Sequence, residues 1–179
     1  MVDAIAVKVS FDKDIAALLK KAGQGSSYAL ARALDEVGNK TRTQVIKATA
    51  AQAGVNQGKV RGVIRTKQAA GAGGGEYVIT ARDVTLSLKE FGLRQTASGV
   101  SAAPWGKRRV FPHTFVGPSG HVFVRKGKDR LPIHKLFGPN IPTEMVKDEA
   151  EKTFYRESEK LLAATVEKWL VREITKAGG

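Results

Sequence analysis

Basic side chains are concentrated in the segment 91–142, where nine Lys and Arg residues face a single acidic residue, Asp129. Such a local excess of positive charge suits contact with the phosphates of nucleic acid or with an acidic protein surface. The segment therefore predicts a surface that meets a polyanion or an acidic partner. The candidate residues for this contact are Arg94, Lys107, Arg108, Arg109, Arg125, Lys126, Lys128 and Arg130.

Aromatic residues alternate with these cations. Trp105 precedes the run Gly106–Arg109, and its ring can either stack on a base or anchor a loop. Aromatic residues make up only 7% of the chain, so the stacking platforms of single-strand binders are not evident. We expect these aromatic side chains in packing or in contacts between subunits: Trp105, Phe111, Phe115 and Phe123.

A second possible DNA-contacting element is a helix-turn-helix-like corner at 46–65, with Gly54 at the turn. Three basic residues of this corner would face phosphate or base edges: Lys59, Arg61 and Arg65. Gly58 and Gly62 argue against a recognition helix, since each costs about 1 kcal/mol relative to Ala. A purely structural corner between two helices gives the same pattern.

The residues expected of an enzyme or a metal site are missing from the sequence. The chain has no Cys and three His (His113, His121 and His134), and it contains neither HExxH nor GxSxG. Its carboxylates concentrate towards the C-terminus, where pairs such as Glu144 and Asp148 are typical of a solvated helix face. We therefore predict no catalytic residue, no cofactor and no metal.

Composition favours one folded domain. The chain has 179 residues, 42% of them hydrophobic, and a net charge of +13. This length can bury one core. No run of about 18 apolar residues occurs, and the N-terminal residues lack a signal-peptide pattern, so no membrane contact is expected.

The N-terminal half is predicted to be mainly helical. An alternating strand at 4–11 precedes a short helix capped by Asp12, and a long helix runs from Ser26 or Ser27 to Ala53. A short helix follows from Asn56 to Ile64. Strands are expected at 63–67 and 76–82, and Thr85–Lys89 extends their sheet.

The second half is predicted to be a sheet followed by a helix. Strands at 108–116 and 121–125 flank a hairpin turn at 117–120, and Pro112 indicates an edge strand or a bulge. A long amphipathic helix spans 143–176 and packs along the sheet or reaches beyond its own subunit.

These elements define an α+β fold: a helical N-terminal half, a small antiparallel sheet with Gly/Pro-rich extended arms, and a long C-terminal helix. We assign residues 1–179 to a single domain. Its parts are a helical segment at 26–65, a basic Gly/Pro-rich segment at 91–142 and the helix at 143–176.

The ordered motifs of residues 26–142 resemble the minor tail protein Z family of tailed phages and prophages. Upstream, ALARAL at 29–34, KTRT at 40–43 and GVxxxxV at 54–60 fit the pattern. The most specific motifs are FGxRQTxxGVS at 91–101, WGKRxV at 105–110, VFxRxG at 122–127 and LPIxxLxGPxIP at 131–142.

The resemblance implies a non-enzymatic virion protein that acts in tail completion at the head–tail neck. Members assemble as rings that follow the six-fold symmetry of the tail and enclose the DNA path. The implied partners are further copies of the chain in a hexameric ring, neighbouring tail and neck proteins, and double-stranded DNA bound without sequence preference. The implied location is the virion, after synthesis in the host cytoplasm. The alternative is a free nucleic-acid-binding module that uses the corner at 46–65.

Overall fold

Helices and short antiparallel strands make up the α+β fold of this chain, as predicted. The structure is a computed structural model that describes residues 4–6, 18, 20–21, 23, 25–70, 75–127 and 129–177. Residues 7–11 of the predicted first strand lie outside this range, as does most of the helix predicted after Asp12. No helix among the described residues is long and apolar enough to cross a bilayer.

Of the three helices predicted in the N-terminal half, the second and third are confirmed. Helix α1 spans Gly25–Ala53 and helix α2 spans Gln57–Val63. Asn56 caps α2, since its side-chain oxygen accepts a hydrogen bond from the amide of Gly58 at 2.7 Å. Val60 and Val63 of α2 are buried, so the corner between the helices packs into the core.

The predicted C-terminal helix is broken near its start. A short helix α3, Ile141–Met145, is followed by helix α4, Asp148–Ala177. Asp148 has a left-handed backbone with φ of 52°, which interrupts the helical path between the two. Asn140 caps α3 by accepting from the amide of Thr143 at 3.2 Å.

Helix α4 packs lengthwise against α1, not along a sheet as one of the two sequence alternatives had it. Ala29 and Ala33 of α1 meet Val166 and Leu170 of α4 in a separate hydrophobic cluster. The small side chains of α1 let the two helix backbones approach closely. The two longest elements therefore form one helical layer.

In the described part of the chain the strands form four small antiparallel sheets instead of the single sheet predicted. The first has the order β1-β3-β2, with β1 Ala4–Ala6, β2 Ile64–Lys67 and β3 Val78–Ala81. Strand β4, Thr85–Ser87, does not extend that sheet as predicted, because it pairs with β11, Phe137–Asn140. A 3₁₀ turn at Leu88–Phe91 follows β4 and turns the chain away.

The other two sheets carry most of the basic segment. One has the order β5-β6-β7, with β5 Arg94–Thr96, β6 Gly99–Ala102 and β7 Arg109–Pro112. The other has the order β10-β9-β8, with β8 Thr114–Val116, β9 Val122–Arg125 and β10 Ile133–Lys135. Strands β5, β6 and β10 were not assigned from the sequence.

The predicted strand 108–116 is in fact two strands of different sheets. Pro112 ends β7, which is an edge strand as its proline indicated, and His113 follows with a left-handed φ of 58°. The predicted hairpin turn at 117–120 is confirmed, since the amide of Gly117 donates to the carbonyl of His121 at 2.9 Å.

The main core lies between α1 and the sheets. Its largest fully buried side chains include Ile79, Leu88, Ile141, Met145 and Phe154. Burying each of them contributes about 1.5–3 kcal/mol. The core thus fixes the first sheet, the 3₁₀ turn, α3 and the start of α4 against one face of α1.

Candidate functional site

The predicted basic residues are all exposed wherever the structure describes them, and we call this set the basic strand surface: Arg94, Lys107, Arg108, Arg109, Arg125, Lys126 and Arg130. Arg94 lies on β5, Arg109 on β7 and Arg125 on β9. The adjoining turns carry the others. Lys128 lies outside the described residues.

The ion pairs of the described residues involve no member of the basic strand surface. They join cations elsewhere to carboxylates, as in the pair of Lys59 with Glu90 at 3.1 Å, and none involves a member of the basic strand surface. Arg108 instead donates to the carbonyl of Gly92 at 3.1 Å and to the hydroxyl of Ser101 at 3.3 Å. The carboxylates of the described residues therefore do not neutralise the charge of this surface.

Aromatic rings hold two of its guanidinium groups in place. The Cζ of Arg109 lies 5.1 Å from the ring centroid of Trp105 and 4.8 Å from that of Phe111. The Cζ of Arg125 lies 4.8 Å from the centroid of Phe115. A guanidinium stacked on a ring keeps its N–H donors in the guanidinium plane, where they remain available to an anion.

The aromatic residues expected at subunit contacts differ in exposure. Trp105 is 38% exposed, whereas Phe111, Phe115 and Phe123 are half-buried. Phe115 and Phe123 stack across the β8–β9 hairpin with centroids 6.1 Å apart. Their contact with a neighbouring subunit stays a prediction.

Trp105 is fixed by a buried carboxylate that the sequence analysis placed on a solvated face. That interpretation of Glu144 is wrong, because its side chain is 3% exposed. It accepts hydrogen bonds from the indole Nε1 of Trp105 at 3.0 Å and from Nε2 of Gln52 at 2.8 Å. Lys147 completes the site with an ion pair at 2.9 Å. Burial alone raises the pKa of Glu144, but these donors outweigh it and hold that pKa below its usual value.

A cleft of about 930 Å³ opens between the two sheets of the basic segment. Its lining includes Arg125 and Lys126 together with His113 and Ser98. Gln95 ties the two sheets together at this point, since its Oε1 accepts from the amide of Val116 at 3.1 Å. Among the described residues that line the cleft there is no carboxylate, so the cleft is suited to an anionic or neutral polar group.

Histidines do not meet across the β8–β9 hairpin. The Nδ1 of His121 lies 2.9 Å from the hydroxyl of Ser87, and His113 is exposed in the cleft. The described ranges contain no group of three His, Cys, Asp or Glu residues able to hold a metal ion. The imidazole of His121 therefore makes a local hydrogen bond with Ser87.

The corner at 46–65 does not bring its three basic residues onto one helix. Lys59 and Arg61 lie on α2, but Arg65 lies on β2, which begins directly after α2 ends. The Nη1 of Arg65 donates to the carbonyls of Ile64 at 2.9 Å and Gly62 at 3.3 Å. A helix of seven residues is also short for entering a major groove.

Comparison of the chain with protein-family profiles, with curated proteins and with solved structures finds no match.

Proposed function

We propose that this protein is a non-enzymatic virion component that completes the tail at the head–tail neck and forms a ring around the DNA path. The resemblance of residues 26–142 to the minor tail protein Z family supports this proposal. The ring would consist of copies of the chain, and its neighbours would be other tail and neck proteins.

The observation that carries the proposal is the positive charge of the basic strand surface, which is exposed and has no carboxylate partner among the described residues. Seven exposed cations lie on small strands and turns, and two of their guanidinium groups rest on aromatic rings. None of the seven pairs with a carboxylate in the described part of the chain. Such a surface suits a phosphate backbone that passes by without being read for sequence.

Native mass is the first test. Light scattering after size exclusion, repeated over a range of protein concentrations, should show a closed species of hexameric mass. A mass that keeps increasing with concentration would contradict a closed ring, since an open head-to-tail contact gives filaments. A protein that stays monomeric would contradict assembly of the chain by itself.

DNA contact is the second test. Binding of a labelled duplex should weaken steeply with salt and should not depend on sequence. Arg109→Ala combined with Arg125→Ala should make the negative slope of log K against log salt shallower by about 1.8, because each lost phosphate contact removes about 0.9 from its magnitude. Arg156→Ala is the matched control, since that arginine lies on α4 and pairs with Glu149 at 3.3 Å. Equal slopes in all three proteins would contradict the proposed surface.

A further inference from the structure

A second group of cations surrounds Trp169 on the helical layer, far in sequence from the basic strand surface. The Cζ atoms of Arg32 and Arg172 lie 5.3 Å and 5.0 Å from the centroid of the Trp169 ring. The Nζ of Lys168 lies 5.8 Å from the same centroid. Arg32 belongs to α1 and the other three belong to α4, so two helices build the group. We call these four residues the Trp169 cation cluster.

The carboxylate of Glu36 lies at the edge of this cluster, and both of its oxygens already accept hydrogen bonds. It accepts from the indole Nε1 of Trp169 at 2.9 Å, and it pairs with Lys40 and Lys168 at 2.9 Å each. Arg32 and Arg172 have no ion pair with a carboxylate among the described residues. Among the residues that the structure describes, positive charge therefore exceeds negative charge around the ring, and two guanidinium groups retain donors for a ligand.

The indole ring is a fixed support for these groups. Trp169 packs against the cluster formed by Ala29, Ala33, Val166 and Leu170, and its N–H is held by Glu36. The arginine and lysine side chains around it are exposed. Stacking on an anchored ring restricts each guanidinium, so less conformational entropy is lost when it binds an anion.

We propose that Arg32, Lys168 and Arg172 form a second phosphate-contact site, which takes the phosphodiester backbone of duplex DNA. Planar guanidinium groups match phosphate oxygens in a bidentate manner. Three cations around one indole also give a dense positive charge, and duplex DNA offers the complementary density of about one negative charge per 1.7 Å of its axis. This site goes beyond the proposed neck function, because DNA would contact the helical layer as well as the strands.

Tryptophan fluorescence provides a local test, because the chain has only two tryptophans. In a Trp105→Phe protein, Trp169 is the single reporter. Titration with a short duplex of mixed sequence should change its emission saturably. Adding Arg32→Ala and Arg172→Ala should weaken that titration about tenfold or more at low salt. An emission unchanged by DNA would overturn the proposal.

Salt dependence gives a second test that keeps both tryptophans. For binding of a labelled duplex, Arg32→Ala with Arg172→Ala should make the negative slope of log K against log salt shallower by about 1.8. Arg156→Ala removes one cation from the same helix without touching Trp169 and should leave the slope nearly unchanged. A slope equal to that of the wild type in the double variant would overturn the proposal.

Titration with inorganic phosphate distinguishes binding of free phosphate from binding of the phosphodiester backbone of DNA. If Trp169 emission saturates with inorganic phosphate and duplex DNA has no greater effect, the site binds free phosphate and the DNA assignment is wrong. The test is also independent of the neck proposal. If the protein forms no ring but Trp169 emission still changes with DNA, only the neck function is contradicted. If the ring forms and Trp169 emission does not change with DNA, only this site is contradicted.

Discussion

The indole Nε1 of Trp105 donates a hydrogen bond to Oε1 of Glu144 at 3.0 Å, and this contact joins the strands to the helical layer. The other oxygen of the same carboxylate accepts from Gln52 of α1 at 2.8 Å. Gly54 at the end of α1 lies so close to Gly106 that a Cβ atom at position 54 would strike the backbone nitrogen of Gly106. The turn that leads into the cations 107–109 is therefore held by the helices.

Removal of this carboxylate should destabilise the protein. Glu144→Ala removes the acceptor of the Trp105 indole N–H and the carboxylate acceptor of Gln52, whose Nε2 keeps only the backbone carbonyl of residue 144. We expect a loss of about 2 kcal/mol in the free energy of unfolding. Glu144→Gln keeps one acceptor and should lose about half as much. Urea denaturation measures both, with the exposed Glu159→Ala as the control. A loss below about 0.5 kcal/mol in Glu144→Ala would contradict this role.

Trp105 should matter more for assembly than for DNA binding. Trp105→Ala removes both the donor to Glu144 and the ring beneath Arg109, and we expect a lower fraction of closed oligomer in light scattering, with a smaller change in duplex affinity. Trp105→Phe retains a ring and should assemble better than Trp105→Ala. Wild-type assembly of the alanine variant would remove Trp105 from the subunit contact.

Two glycines should respond oppositely to the same substitution. A Cβ at Gly38 of α1 would meet the ring of buried Tyr77, so Gly38→Ala should destabilise the protein by about 1–3 kcal/mol. At Gly62 of α2 a Cβ would meet nothing within 4 Å, and Gly62→Ala should stabilise by about 0.5 kcal/mol. Thermal or urea unfolding measures the stability of both variants. Equal changes in the free energy of unfolding would contradict the packing of α1 on Tyr77.

Acid should weaken the contact between α1 and α4 through Glu36. Hydrogen bonds from Lys40, Lys168 and Trp169 lower the pKa of Glu36 from 4.5 to about 2. Because the folded-state pKa is depressed, the stabilisation is complete above pH 4.5 and is lost as the pH falls towards 2.

The variant Glu36→Gln isolates this effect. At neutral pH the free energy of unfolding of Glu36→Gln should be about 1 kcal/mol below that of the wild type, a small difference because the lysine partners are exposed. This difference should shrink as the pH falls from 4.5 towards 2. Glu167→Gln is the control, because Glu167 is exposed and forms no ion pair in the described part of the chain. A deficit that stays constant down to pH 3 would contradict the ionised state of Glu36.

The alternative of a free DNA-reading module is tested at the corner of α1 and α2. Arg61→Ala with Arg65→Ala should change duplex affinity by no more than about twofold, since Arg65 already donates to backbone carbonyls. A helix-turn-helix reader would instead have a specificity ratio of about 10³ or more and would lose it in this variant. That loss, measured by competition between specific and random duplexes, would favour the alternative.

Local patterns were sufficient to predict several elements. The caps and glycines around α1 and α2 act within a few residues, so their bounds could be read from the sequence within about one residue. The hairpin at 117–120 was equally clear. The sheet to which each strand belongs could not be predicted in this way. Strand β4 pairs with β11 some fifty positions later in the chain, and no local signal specifies that partner.

The site residues divide in the same way. Exposure of Arg109 and Arg125 followed from charge alone, whereas the burial of Glu144 depends on tertiary donors from residues 52 and 105. The Trp169 cation cluster was missed because Arg32 lies on another helix. Its one local signal is that Lys168 and Arg172 lie one and three positions from Trp169, on neighbouring parts of α4.

The smaller hydrophobic cluster between α1 and α4 implies that the helical pair opens in stages. Ala29, Ala33, Val166 and Leu170 bury far less apolar surface than the main core that holds the middle and C-terminal parts of α1. Backbone amides near these four residues should therefore exchange with solvent deuterium through a local opening. Amides of β3 should exchange only when the whole domain unfolds, so brief local opening of the folded protein should begin at the end of the helix pair that carries Trp169.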